Sequence, residues 1–278
     1  MKLRQLTIIL AILAIGANLF AQSSGVSVTA KLRPELQTIV KEIESKTGKP
    51  LRSEFIRQAD FQFGSSFISD AGIPVVLIDF RLQNDREKFE AVAAHELLHL
   101  RLRVNDYPTF LFSPTVQTAR GRALDTEQSN VTDLNGIIEH RIFKPEMERL
   151  GLSEAINLAG DTAKDARRRK GEADSQSDAI NYARAILEYQ TAADIEEVKK
   201  IYQINRWTRS LETGKAIADT IAQSNLQMPS EVEAVFLKCL LKLYPLPPSQ
   251  TFKLTVDPKN KFYRRMIITS ARRAGRRK

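Results

Sequence analysis

Two histidines four residues apart, His95 and His99, stand inside a run that leaves a folded chain little choice about where to put them. From Asn84 to Arg103 the sequence reads as one helix. Phe89, Val92, Ala93, Leu97, Leu98, Leu100 and Leu102 leave it few polar positions, so it is buried on most sides. Residues four apart on a helix lie one turn above each other, so the two imidazoles can hold one metal ion. Buried polar groups need partners, and a metal satisfies both rings at once. Glu96 stands one step round the helix, where its carboxylate reaches a water activated by that metal. His95-Glu96-Leu97-Leu98-His99 therefore has the spacing of a zinc hydrolase. Asn84 or Asp85 caps the helix, with Glu87 as capping-box partner to Asn84.

A catalytic zinc takes three protein ligands and keeps one position open. One known arrangement puts Gly three residues after the second His and a third His three further on. Leu102 and Asn105 occupy those positions, so the third ligand comes from elsewhere. The one remaining histidine, His140, follows Glu139 in a second predicted helix, Val131–Phe143, which Pro145 stops. Val131, Leu134, Ile138 and Ile142 form an apolar stripe on that helix. If the stripe packs towards the metal helix, Glu139 leans inward and His140 points away. Glu139 is then the ligand. His140 stays open as an alternative ligand or a transition-state donor, and Arg141 and Tyr107 as oxyanion donors without any spacing to single them out.

These residues resemble the zincin metallopeptidases of the gluzincin type, whose third ligand is a glutamate on a following helix. The likeness is specific at His95-Glu96-x-x-His99, looser at Asn135-x-x-x-Glu139, and covers about residues 50–150. It implies zinc on His95, His99 and Glu139, Glu96 as general base, and an edge strand before the metal helix, where Ile73–Ile78 stands. Phe143, four after Glu139, stands where some members have Asp, so the support that the resemblance implies for His95 or His99 is not matched at that position.

The ends of the chain bear on where such chemistry takes place. Lys2 and Arg4 precede an uncharged apolar run, Leu6 to Phe20, and then Ala21-Gln22-Ser23-Ser24. This predicts a signal peptide over residues 1–21, cut after Ala21, with an uncleaved anchor as the alternative; the run is shorter than the ~20 residues of a spanning helix. No later stretch is apolar enough to span a bilayer, so the mature chain is expected to be extracytoplasmic, periplasmic or secreted. The net charge is +9, but nine Lys or Arg and no acid fall between Lys259 and Lys278. Without those nine and the two at the N-terminus, the body carries about −2, and the basic character belongs to residues 259–278. Such a tail would attract an anionic envelope surface. Arg264, Arg265 and Arg272–Lys278, beside Phe262 and Tyr263, would also suit nucleic acid, but the near-neutral body and secretory start argue against it. The single cysteine, Cys239, sits in an apolar run and reads as a buried structural thiol.

The intervening chain predicts an α+β fold: a zincin-like small mixed sheet and metal helix over 22–160, then a mainly helical half. Apolar spacing gives a helix over 32–46. Residues 51–80 give two or three strands, among them Phe55, Phe61, Phe63, Phe67 and Ile73–Ile78. Tyr107–Gly121 reads as a loop, Ser153–Ala159 as a short helix and Asp161–Asp178 as an exposed connector. Helices follow over Ala179–Tyr189, Ala193–Ala222 (with Trp207 inside) and Glu231–Tyr244 in a helical region, 161–258. Thr251–Val256 and Phe262–Thr269 form a closing strand pair. The expected function is zinc-dependent hydrolysis of a peptide or protein substrate, with one Zn2+. The alternative is an envelope-associated binding protein with a structural or vestigial zinc site and a basic tail.

Overall fold

The computed structural model describes residues 28–57, 63–112, 124–152, 162–188 and 191–270. The signal segment, the 153–159 helix, Phe61 and Arg272–Lys278 lie outside them. The fold is α+β, with two small three-stranded sheets and a mainly helical C-terminal half. A 3-10 turn at Val28–Lys31 leads into α1, Pro34–Thr47. Pro34 takes a first-turn position, and Gly48 ends the helix with a positive φ of 65°.

The first sheet has the order β1-β3-β2, from Arg52–Ile56 (β1), Gly64–Ile68 (β2) and Pro74–Asp79 (β3). β3 runs parallel to β1 and antiparallel to β2. The strand that precedes the metal helix is therefore central, contrary to expectation, and the edge beside that helix is β2. A fully apolar run such as Pro74–Ile78 suits a strand flanked on both sides, whereas Gly64-Ser65-Ser66 suits an edge.

A second 3-10 turn, Phe80–Asn84, precedes α2, Arg86–Val104. Asp85, not Asn84, is the cap: its carboxylate accepts from Lys88 N at 3.2 Å. α2 ends without glycine. Asp106 adopts φ 67°, and Tyr107 N bonds back to Leu102 O at 3.0 Å, a left-handed closure that stops the helix before its next turn. Part of the expected 107–121 loop is strand β4, Thr109–Phe112.

The next helix, α3, runs from Leu124 to Arg149 with Pro145 inside it. Pro145 was expected to stop the helix. It removes only the bond to the Arg141 carbonyl, and Arg141 is exposed, so water can take that place. The C-terminal half supplies α4 (Thr162–Arg168), α5 (Gln176–Glu188), α6 (Ala192–Ile204), α7 (Thr208–Ala222) and α8 (Pro229–Leu243). Two readings change here. The expected single helix over Ala193–Ala222 is broken by Arg206 at φ 60°, with Trp207 N bonding Tyr202 O at 2.9 Å. The expected connector at 161–178 contains α4 and the buried Asp178.

β5 (Gln250–Val256) and β6 (Tyr263–Ser270) form the expected antiparallel pair, and β6 also pairs in parallel with β4, giving the order β4-β6-β5. Eight of the twenty residues of the predicted basic tail are thus a strand: Arg265 pairs with Asp257 at 2.8 Å, and Met266 is fully buried. Cys239 is buried as expected, and burial pushes its thiol up to about 12. Among the described residues, no helix is long and apolar enough to cross a membrane.

Two apolar cores share α3. Val131, Leu134, Ile137 and Ile138 pack with α5, α7, α8 and the second sheet, while Phe143, Met147 and Leu150 pack with α1, α2 and the first sheet. Glu139 and His140 sit where the helix passes from one core to the other.

Candidate metal centre

α2 carries His95 and His99 one turn apart, and the structure turns their rings towards each other. Nε2 of His95 lies 3.1 Å from Nε2 of His99, with the rings edge-on at 4.6 Å. Two ligand atoms about 2.05 Å from a tetrahedral zinc lie about 3.3 Å apart, so this spacing fits a shared ion. The ring of His140 comes to 4.8 Å from that of His95 and 5.3 Å from that of His99. One nitrogen from each of the three rings lies within 4.8 Å of the others, and the group could hold a metal ion.

His140 was expected to point away from the metal helix. The reason it does not lies in which core its helix stripe faces. Val131, Leu134 and Ile138 pack into the second core, away from α2. The opposite side of α3, with His140, Phe143 and Met147 at three- and four-residue intervals, meets α2. Phe143 closes the cluster: its ring lies edge-on to His95 at 5.3 Å and to His99 at 5.0 Å. The apolar residue that replaced an expected Asp is a wall of the site.

Glu139 is buried, but its carboxylate sits against Nδ1 of His99, on the ring atom that faces away from His95. Asn135 Nδ2 donates to its other oxygen at 2.7 Å, and Thr109 Oγ1 lies 3.3 Å from the same atom. Arg103 bonds Thr109 Oγ1 at 3.1 Å through Nε. Burial alone would raise the Glu139 pKa. The nearby His99, the Arg103 charge and the Asn135 hydrogen bond outweigh it and hold the carboxyl below its usual range. Nδ1 of His140 has a carboxylate of its own, Glu188 Oε1 at 2.7 Å. A carboxylate on Nδ1 fixes the ring and leaves Nε2 free to bind a metal. Burial, together with His99 and His140, holds the pKa of His95 well below its usual value, in the neutral form a metal needs.

Glu96 is 8 % exposed and has no hydrogen-bond partner among the described residues. The β2 backbone at Gly64 runs directly beside it. A Cβ added at Gly64 would lie 2.9 Å from Glu96 Cγ and 2.7 Å from Val92 Cγ1, so only glycine fits. The two suggested oxyanion donors are elsewhere: the Tyr107 hydroxyl donates to Gln227 O at 2.6 Å, and Arg141 is exposed.

Glu188, Thr109 and Arg103 were not singled out in the sequence. Arg103, four after His99, carries a helical-spacing signal that could have found it, as the same spacing found Asn135 before Glu139. Glu188 is 48 residues from His140 and carries none. No protein-family model, no curated protein and no solved structure matches the chain.

Proposed function

We propose that the protein is a zinc-dependent peptide hydrolase, with the metal on His95, His99 and His140. The observation that carries this reading is the pair of orienting carboxylates. Glu139 on His99 and Glu188 on His140 leave the opposite nitrogens free, beside His95, and Glu96, one step along α2 from His95, has no hydrogen-bond partner among the described residues. Three imidazoles form a donor set suited to zinc. On this reading Glu139 supports a ligand and is not one itself, so the likeness to the glutamate-ligand peptidases holds at His95-Glu96-x-x-His99 and departs at the third ligand.

A bound zinc supplies Lewis-acid polarisation of water and of the scissile carbonyl. Glu96 accepts the proton of the attacking water and later returns it to the leaving amine. Its place on β2's side of α2 keeps it free of salt bridges among the described residues, so it is available for that transfer. Phe143 excludes water behind the rings, which strengthens each charge interaction in the site. The apolar N-terminal run supports an extracytoplasmic setting for this chemistry.

The test is metal analysis of the purified chain beside a casein-type assay. Glu96→Gln should keep zinc and lose about 10²- to 10⁴-fold in turnover. Wild-type activity in Glu96→Gln sinks the mechanism. Zinc without turnover in the wild type favours the envelope-binding protein instead.

A further inference from the structure

β2 is an edge strand, and its pairing sets which of its backbone groups face outward. Phe63 O accepts from Asp79 N at 2.8 Å, and Ser69 N donates to Ile73 O at 2.9 Å, so the odd-numbered residues bond to β3. The backbone groups of Gly64, Ser66 and Ile68 therefore point to the open side. Three of these six groups are already taken by side chains from distant parts of the chain. Arg103 Nη1 donates to Ser66 O at 2.7 Å. Ile68 N donates to the Tyr263 hydroxyl at 3.0 Å, and Asn260 Nδ2 donates to Ile68 O at 2.8 Å. Asn260 also holds Ser69 O at 2.9 Å. Only Gly64 keeps both its N–H and its C=O free of partners among the described residues, and Gly64 is the residue whose backbone lies against Glu96.

An exposed edge recruits another extended chain through these same groups. An antiparallel pair needs both the N–H and the C=O of a residue. We propose that Arg103, Asn260 and Tyr263 lock Ser66 O and both groups of Ile68, so that a substrate main chain beside Glu96 is held at Gly64. Backbone pairing then covers one residue of an extended peptide and does not run on towards Ile68. Arg103 comes from the end of α2, and the two locks on Ile68 come from the segment between β5 and β6 and the start of β6, so the C-terminal hairpin sets how far along β2 the N-terminal sheet can hold a chain. This deepens the reading of the chain as a peptide hydrolase and depends on it for the occupant.

The test uses peptides built around one mapped cleavage site and lengthened residue by residue on each side, with the full chain and zinc present. On the Ile68 side, kcat/KM should stay flat beyond the first residues in the wild type. In the Tyr263→Phe/Asn260→Ala double variant, which frees both groups of Ile68, further residues on that side should raise kcat/KM about fivefold, the worth of roughly one added hydrogen bond. Amide exchange at Ile68, slow in the wild type and fast in the variant, checks that the lock has opened without unfolding. Single Tyr263→Phe should show the faster exchange even if the double variant folds poorly. A wild-type rate that climbs with length on both sides overturns the proposal, as does an opened edge with no gain in rate. No cleavage of any peptide by the zinc-loaded wild type overturns the hydrolase reading itself.

Discussion

The carboxylate of Glu139 meets Nδ1 of His99, while the Nε2 of that ring faces His95 at 3.1 Å. A ring held from behind in this way has one nitrogen left for a metal, and the two residues have separable roles. His140→Ala should remove a ligand and lose zinc on dialysis against a weak chelator. Glu139→Gln should keep the ion and weaken its binding about 10- to 100-fold. Metal content measured on both variants decides the assignment. Zinc lost only from the Glu139 variant would make the glutamate the ligand after all.

At Gly64 the first sheet approaches α2 closely enough to exclude a side chain. A methyl group there would meet Val92 and Glu96 at under 3.0 Å, and Val92 is buried, with little room to give. Gly64→Ala should cost about 1–3 kcal/mol of stability and displace the Glu96 side chain. Turnover should therefore fall at least tenfold with zinc content unchanged. Adding Val92→Ala removes one of the two clashes and should recover part of the stability. Wild-type kcat in the Gly64→Ala variant would show that Glu96 is not placed by β2.

The metal helix was legible in the sequence because two short-range signals agree there: His spacing and an unbroken apolar surround. The closing strand pair was legible as well, as Thr251–Val256 and Phe262–Thr269. What was not legible depends on which core a face meets. The stripe of Val131, Leu134 and Ile138 is real, but nothing local says that it faces α5, α7 and α8 and not α2, and His140 was misplaced for that reason alone. The helix break at Arg206 was hidden in another way, since arginine is not the glycine that a left-handed closure favours. Glu188 reaches His140 only through the docking of α5, a contact with no local signature.

That docking has a testable consequence at the other end of α5. Ser175 Oγ accepts from Asp178 N at 3.3 Å, and the Asp178 carboxylate accepts from Ser175 N at 3.1 Å, a reciprocal helix cap. The same carboxylate binds Arg169, whose guanidinium lies 5.1 Å over the Trp207 ring. Asp178 is 2 % exposed, so Asp178→Ala leaves a partly buried arginine with reduced compensation and should cost about 3 kcal/mol. Denaturant midpoints measure this. Because α5 ends at Glu188, the variant should also bind zinc more weakly, whereas Glu188→Gln should weaken zinc with a much smaller loss of stability. Equal stability losses in the two variants would uncouple the cap from the site.

Asp79 gives the chain an acid limit independent of the metal centre. Its carboxylate is buried at the end of β3, accepts from Arg81 N at 2.7 Å and pairs with the Arg81 guanidinium at 2.6 Å. The side-chain bond to Arg81 is the main cause that holds its pKa below the usual 3.8, against the opposing effect of burial. A depressed folded value means that the unfolded chain binds the proton first on acidification. The stabilisation is therefore fully present above about 3.8 and is lost as pH falls through the lower folded value. Asp79→Asn keeps an acceptor for Arg81 N but removes the charge. Arg81 is 61 % exposed, which screens the pair, so the loss should be about 1 kcal/mol, a Tm drop of about 2–4 °C. Melting curves of the two proteins should stay separated by that amount from pH 7 to about 4.5 and converge below the usual carboxylate range. A gap that persists unchanged at pH 2 would mean that the ionised Asp79 contributes nothing and the difference comes from packing alone.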